Sequence, residues 1–441
     1  MSGSPHVALL TGWYYPDTVG GTEAYVQTLA HDLQDDGYRV TVAAPSTDGE
    51  QSYVHNGVDV YRYPITSTPS TDEVRGDVPP EHLDAFAAWL DETAPDLVHA
   101  HSYTRGCSVH HSRCVRERSI PFFATVHIPE VTCPRGTMMR WGTTPCDGTV
   151  RALRCGACAL HDQGMPRPFA VIAAAVSQTG ISRRLPGRLG TVLQYGHQIL
   201  RGHDRVMEWF DLAERVVVVS GWLDDVLRRN DVPPENIVVS RHGLPASHIP
   251  DDPRPVRCLA EDEPLRVGFV GRFVPIKGVD VLIDAVRHLP ASVPVALDLY
   301  GTVADTQRDY YERLKERAAS DARITFSGEL TSENRHRVYA SFDVVAVPSQ
   351  VLETGPFVVL EAFAAQRPVV GSNLGGIAER VDDGQSGRLV PPSDPAAWAD
   401  ALRDVRRRAV AQTKPWTFPP VRKSRDVARE MGALYEDALI A

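Results

Sequence analysis

The stretch LRVGFVGRFVPIKG, residues 265–278, decides how this chain is read. Its first six residues form an apolar run of strand length, and the eight that follow, bounded by Gly271 and Gly278, read as a turn. Outward from it the pattern repeats. Further strands are expected at 295–300, 324–326, 344–347 and 369–370, with helices between them, for instance at 310–319 and 331–340. On the N-terminal side the same alternation runs through strands at 7–10, 38–43, 97–100, 122–126, 215–219 and 237–239. Gly20-Gly21-Thr22-Glu23 opens a helix to about residue 36, a second helix follows Tyr103, and Ser220-Gly221-Trp222 starts another. Between the two runs, residues 245–264 contain five prolines and read as a linker. Strand–helix alternation means a parallel sheet covered on both faces. The expected fold is therefore α/β, with two doubly wound, Rossmann-like domains. Such sheets bind ligands at the carboxyl ends of their strands, so two facing sheets would make an interdomain cleft.

Composition narrows the function. The chain has 441 residues, 43% hydrophobic and 23% charged, which suits a folded globular protein of two or three domains. The longest apolar run, 169–176, falls short of the roughly 20 residues that span a bilayer. The N-terminus has no charged segment leading into an apolar core, so a cytoplasmic location is expected. A net charge of −10 argues against nonspecific nucleic-acid binding. The charge is uneven: residues 1–100 are net −13, whereas 101–205 are net +9, with all 14 basic residues arginine. That block reads as a surface for an anionic substrate or for membrane headgroups.

Three loops carry candidate chemistry. Gly20 and Gly21 allow close backbone approach to a ligand at a helix N-terminus, where free N–H groups favour an anion. Arg272 and Lys277 flank the turn after the strand at 265–270, where a forked and a point cation can clamp a diphosphate. Lys277 is one of only four lysines beside 42 arginines. Glu353-Thr354-Gly355-Pro356-Phe357-Val358-Val359-Leu360-Glu361 holds two carboxylates, and Gly-Pro between them forbids one continuous helix. Glu353 then sits on a loop, able to bind sugar hydroxyls, and Glu361 on the next helix. Taken singly, each of these residues is an ordinary turn or surface charge.

In this order the motifs resemble the retaining nucleotide-sugar glycosyltransferases of family four, with the GT-B fold. Pro95-Asp96-Leu97-Val98-His99-Ala100-His101, Val338-Tyr339-Ala340 through Asp343 to Pro348-Ser349, Leu374-Gly375-Gly376-Ile377 and Gly384-x-x-Gly387 add to the resemblance. So does the segment 416–439, similar to the terminal piece that crosses back to the first domain. The resulting domain expectation is 1–244 for the acceptor-side domain with an insertion at 130–165, a linker at 245–264, 265–415 for the nucleotide-sugar domain, and 416–441 for the returning helix. The resemblance implies that Glu361 binds the ribose, that Arg272 and Lys277 hold the diphosphate with N–H groups near Gly21 and Phe357–Val358, and that Glu353 and His127 reach the donor sugar. It implies cationic stabilisation of the leaving diphosphate with no catalytic metal. The donor would be a nucleotide-diphosphate sugar, and the acceptor anionic or lipid-linked, with peripheral membrane contact in the second case. Two departures stand out. The usual Glu-Gly-Phe-Gly is here Glu353-Thr354-Gly355-Pro356, and the usual Asn-Gly-Val-Asp is His242-Gly243-Leu244-Pro245. The competing readings are a sugar-nucleotide epimerase or phosphorylase of similar shape, and a non-catalytic metal or redox sensor.

The sensor reading comes from the cysteines. There are seven, an odd number, and Cys133, Cys146, Cys155 and Cys158 crowd one loop-like segment just after His127. Cys155-Gly156-Ala157-Cys158 has knuckle spacing, and a metal would order a segment with little apolar material to bury. Zinc is expected by ligand type; an iron–sulfur cluster uses the same four thiolates. Cys107 and Cys114 read as buried residues of a helix.

Overall fold

The structure, a computed structural model, describes residues 4–17, 20–177, 187–412 and 414–440. The chain divides into two compact units, Met1–Arg241 with Ser424–Ala441, and His242–Lys423. The division falls at 241/242, so the proline-rich stretch at 245–264 belongs to the second unit rather than standing between the two.

The first unit runs β1 (His6–Leu10), α1 (Gly21–Asp35), β2 (Arg39–Ser46), β3 (Gln51–His55), β4 (Val58–Pro64), α2 (Thr71–Arg75), α3 (Leu83–Thr93), β5 (Leu97–Ala100), α4 (Val109–Glu117) and β6 (Phe122–Val126). Then follow a small hairpin of β7 (Met139–Arg140) and β8 (Thr144–Pro145), three helices α5 (Ala152–Asp162), α6 (Arg167–Val176) and α7 (Gly187–Asp211), and β9 (Arg215–Val218), α8 (Gly221–Arg229) and β10 (Ile237–Val239). Eight strands form one sheet in the order β10-β9-β6-β5-β1-β2-β4-β3, parallel except for the β3–β4 hairpin at its edge. That hairpin was absent from the sequence reading, although its turn, Asn56-Gly57 with φ of 47° and 81°, is a strong hairpin signal.

The segment after His127 is less loop-like than its composition suggested. Cys155 and Cys158 lie on α5, and α5, α6 and α7 share a small core of Ala157, Leu160, Ala170, Ala173 and Ala174. Small residues let these helices meet closely: a Cβ on Gly156 would stand 3.0 Å from the Gly196 Cα. Cys107 is also placed differently from expectation. It precedes α4, in a bridge with Thr104, and is fully buried, while Cys114 is on α4 and half-buried.

The second unit runs β11 (Leu265–Val270), α9 (Val279–His288), β12 (Val295–Tyr300), α10 (Arg308–Ala318), β13 (Ile324–Gly328), α11 (Arg335–Ser341), β14 (Val344–Val347), α12 (Phe357–Ala364), β15 (Val369–Ser372), α13 (Gly375–Arg380), β16 (Gly387–Val390) and α14 (Pro395–Ala411). Its six strands are parallel, in the order β13-β12-β11-β14-β15-β16. Both faces are covered, and β14 shows how: Val344 and Ala346 join one core while Val345 and Val347 join the other. The last helix, α15 (Ser424–Ile440), belongs to the first unit. Its Tyr435 is fully buried there, with its hydroxyl 2.5 Å from His99 Nδ1.

Candidate active site

In the second unit the chain starts at β11, builds outward through β12 and β13, then returns to β14 on the other side of β11. The connections from the carboxyl ends of the paired strands β11 and β14 therefore run to opposite sides, the switch point at which doubly wound sheets bind ligands. The loops that leave those two ends carry Arg272 with Lys277, and Glu353. Lys277 Nζ lies 2.5 Å from Glu353 Oε1, across 76 positions of sequence. The Ser349 hydroxyl donates to the same oxygen. Burial pushes the Glu353 carboxyl up, but Lys277, Ser349 and Arg272 outweigh it and hold it below the usual range. Arg272 itself is exposed.

Glycines hold this loop in place. Gly376 N–H donates to the Glu353 carbonyl at 2.6 Å, and a Cβ on Gly376 would stand 2.8 Å from that oxygen and from the Thr354 backbone. Phe357 and Val358 form the first turn of α12, which no side chain caps. His242 stacks on the Phe357 ring at 4.9 Å, and its Nδ1 lies 3.0 Å from the Gly355 carbonyl. Burial lowers its pKa to about 4. The sequence reading left His242 without a role; here it braces the Gly-Pro bend between the two glutamates.

Glu361 lies one turn further along α12 and is 6% exposed. The Tyr339 hydroxyl donates to its Oε2 at 2.6 Å, Arg335 pairs with Oε1, and His248 Nδ1 lies 3.1 Å from Oε1. Burial raises this carboxyl, yet His248, Arg335 and Tyr339 together keep it below the ordinary range. Both oxygens thus have protein partners. Of the three, His248 has the most open side chain, at 26%. None of these partners was named as a site residue from sequence, because nothing local marks them.

The first unit presents Gly20, Gly21 and His127 at the carboxyl ends of β1 and β6. Gly20 is the extended N-cap of α1, and no side chain caps it. A Cβ on Gly21 would meet nothing within 4 Å, so the backbone there faces open space. His127 is buried, its Nε2 3.2 Å from His101 Nδ1 and its ring against Tyr25. His101 and His99 come from the Val-His-Ala-His strand, and burial lowers both their pKa values.

The arginine-rich block is more neutralised than its count suggests. Eight of its arginines form ion pairs, several with acids of the first hundred residues, as in Arg105–Glu73, Arg118–Asp91 and Arg205–Asp77. Arg183 and Arg184 lie outside the described residues. Arg140 and Arg167 both sit over the Trp141 ring, at 5.9 and 5.5 Å, beside the exposed Phe169 and Ile172 of α6. Among the described residues no helix is long and apolar enough to cross a membrane. Among them, too, no group of three or more His, Cys, Asp or Glu side chains stands together as a metal site. All seven cysteines are free thiols, and Cys133, Cys146, Cys155 and Cys158 line one cavity.

Two doubly wound parallel sheets in one chain, with cationic and acidic loops at a switch point, are the architecture of the GT-B fold. Comparison with known proteins agrees. A family model described as Glycosyl transferase 4-like domain matches residues 20–243, and one described as Glycosyl transferases group 1 matches residues 264–407. The chain belongs to this glycosyltransferase family. It is 35% identical over 192 residues to a D-inositol 3-phosphate glycosyltransferase of Stackebrandtia nassauensis, a match covering 40% of this chain and 43% of that protein. The match thus spans less than half the length of that relative. Among solved structures, sucrose-phosphate synthase from Thermosynechococcus elongatus aligns with a TM-score of 0.62 at 19% identity, covering 99% of each chain. Anabaena HepE in complex with UDP and glucose aligns with a TM-score of 0.61 at 15% identity, over 98% of this chain and 100% of that one.

Proposed function

We propose that this chain transfers a sugar from a nucleotide-diphosphate donor to an acceptor, with retention at the anomeric carbon. The observation that carries the reading is the convergence of Lys277, Arg272 and Glu353 where the connections from β11 and β14 part. In this reading the leaving diphosphate lies between the two cations and the first turn of α12, and its growing charge is offset there. Glu353, kept ionised by Lys277, accepts hydrogen bonds from donor-sugar hydroxyls. Glu361 takes the ribose, and the family resemblance assigns His127 and the backbone near Gly21 to the donor as well. The name of the Stackebrandtia relative supports an anionic acceptor.

Peripheral attachment at the inner face of the membrane is supported by Phe169 and Ile172, which are 64% and 60% exposed on one helix beside Arg140 and Arg167. Apolar side chains flanked by cations suit an anionic lipid surface. The cysteine-lined cavity supports a metal-binding reading of its own, structural rather than catalytic.

The donor assignment is tested by calorimetry with UDP, GDP and ADP. One nucleotide should bind, and Arg272→Ala or Lys277→Ala should each weaken it by about 1.5–3 kcal/mol, the worth of a charge-assisted hydrogen bond. Unchanged affinity in both variants would remove the diphosphate clamp.

A further inference from the structure

Four cysteines that sequence spreads over residues 133–158 line one cavity, although no three of them stand close enough together to form a ready-made metal site. Cys133 follows a 3-10 turn at Pro129–Val131, Cys146 follows β8, and Cys155 and Cys158 occupy the first turns of α5. All four line a single cavity of about 30 Å³. Spacing of three on a helix puts both α5 sulfurs on one face.

The surroundings of the sulfurs are as telling as their number. Trp141 N–H donates to Cys158 Sγ at 3.2 Å, and Arg151 N–H donates to Cys155 Sγ at 3.3 Å. The Arg135 guanidinium stands 3.7 Å from Cys158 Sγ. A thiol is a weak acceptor and a metal-bound thiolate a stronger one, so N–H groups aimed at sulfur suit a ligated cysteine. Arg151 is the N-cap of α5, so Cys155 also sits at the positive end of a helix. Three arginines, 135, 140 and 154, line the cavity. Arg135 and Arg154 are fixed by Asp162 and Asp147, which sets them as rigid neighbours of the sulfurs.

The loop around the cavity is tightly turned: Met138 and Trp141 both adopt left-handed backbone, with φ of 55° and 58°, and the Trp141 N–H that meets Cys158 belongs to the second of them. The loop is also tied to α8: Asn230, the residue that ends that helix, accepts from Val150 N–H at 2.9 Å and donates to Gly148 O at 3.0 Å.

We infer that Cys133, Cys146, Cys155 and Cys158 bind a single zinc ion. Soft thiolates select zinc or iron, and the size of the space chooses between them. One water-sized sphere needs ~10–15 Å³, so this cavity takes one ion and not a cube of four irons and four sulfides. Zinc held by four thiolates is tetrahedral, with sulfur at about 2.3 Å, so side chains that line the cavity without clustering would have to close on the ion. Four protein ligands leave no open position, so the site is structural. Four thiolates around Zn²⁺ carry a net charge of −2, which the N–H donors and the arginines spread. The ion ties the 132–149 loop to α5 and, through Asn230, to α8. The inference is independent of the donor site in the other unit, and either can fail alone.

The test is elemental analysis of the full chain purified without chelator or added metal. About one zinc per chain is expected, released by a mercurial that titrates thiols. Replacement by Co²⁺ should give the thiolate-to-cobalt charge-transfer band and the visible absorption of a tetrahedral site. Cys155→Ser with Cys158→Ser should lose the ion, and Cys258→Ser, at an exposed position outside the cluster, should keep it. The wild-type measurement stands whether or not the double variant folds. Absence of zinc with no cobalt spectrum would overturn the inference. So would iron with sulfide in place of zinc, or disulfides among the four cysteines by mass mapping.

Discussion

Lowering the pH from 7.5 to 5.0 should destabilise the first unit by about 4 kcal/mol through two buried histidines, with a third acting in the same direction. His99, His101 and His111 are 0%, 1% and 1% exposed. Burial holds His99 and His111 at about 3 and pushes His101 well below the ordinary value of 6.5. Hydrogen bonding adds to the reason for neutrality at His111, whose Nδ1 accepts from the Ser108 N–H at 3.2 Å in the cap of α4. In the unfolded chain each histidine takes up a proton near pH 6.5, and in the fold it does not. The stabilisation is therefore fully present above 6.5 and is lost as pH falls from 6.5 towards the folded values. At pH 5.0 the unfolded chain has gained about 1.5 pH units of protonation at His99 and at His111, or about 2 kcal/mol for each at 1.36 kcal/mol per unit. A total near 4 from these two is a large share of the roughly 5–15 kcal/mol that holds a domain together, and His101 adds to it in the same direction. With a urea dependence of about 3 kcal/mol per molar, the unfolding midpoint should drop by at least about 1 M. Glu353 and Glu361 do not disturb the comparison, since their lowered carboxyls titrate below the window and in the other unit. His99→Gln should show a smaller drop between the two pH values, because one proton-binding site is gone from the unfolded chain. Equal midpoints at pH 7.5 and 5.0 would refute the argument.

Two further outcomes follow from the site and the surface. Gly376→Ala places a Cβ 2.8 Å from the Glu353 and Thr354 backbone, so the Glu353 loop must move; a cost of about 1–3 kcal/mol in unfolding and a raised KM for donor are expected, and unchanged steady-state kinetics would count against the loop's role. Wild-type chain should sediment with anionic vesicles at low salt and less at high salt, and Phe169→Ser with Ile172→Ser should abolish it; no sedimentation of the wild type would leave a soluble anionic acceptor as the surviving alternative.

Much of the architecture is local and was therefore legible. Buried parallel strands need continuous apolar runs, and the runs at 97–100, 122–126, 237–239, 265–270, 295–300 and 344–347 are strands with those same ends. The glycines before α1 and Gly-Pro before α12 mark helix starts for reasons that lie within a few bonds: freedom of φ, and a missing N–H. What lay outside local reach was partnership. Lys277 and Glu353 meet only because the chain crosses from β12 and β13 back to β14 beside β11, which no window of sequence records. Glu361 was readable as a carboxylate on a helix, but its enclosure by Tyr339, Arg335 and His248 depends on how α11 and the 245–264 stretch pack around α12. The arginine count at 101–205 was plain in the sequence; that six of those arginines pair with acids from elsewhere in the chain was not. For the cysteines, spacing alone suggested a shared ion, and only the folded loop aims two backbone N–H groups at their sulfurs. Local chemistry sets which groups are available, because propensity and burial pattern act over a turn or a strand. Tertiary structure decides which of them face one another, because a Coulomb contact or hydrogen bond requires distances that sequence separation does not constrain.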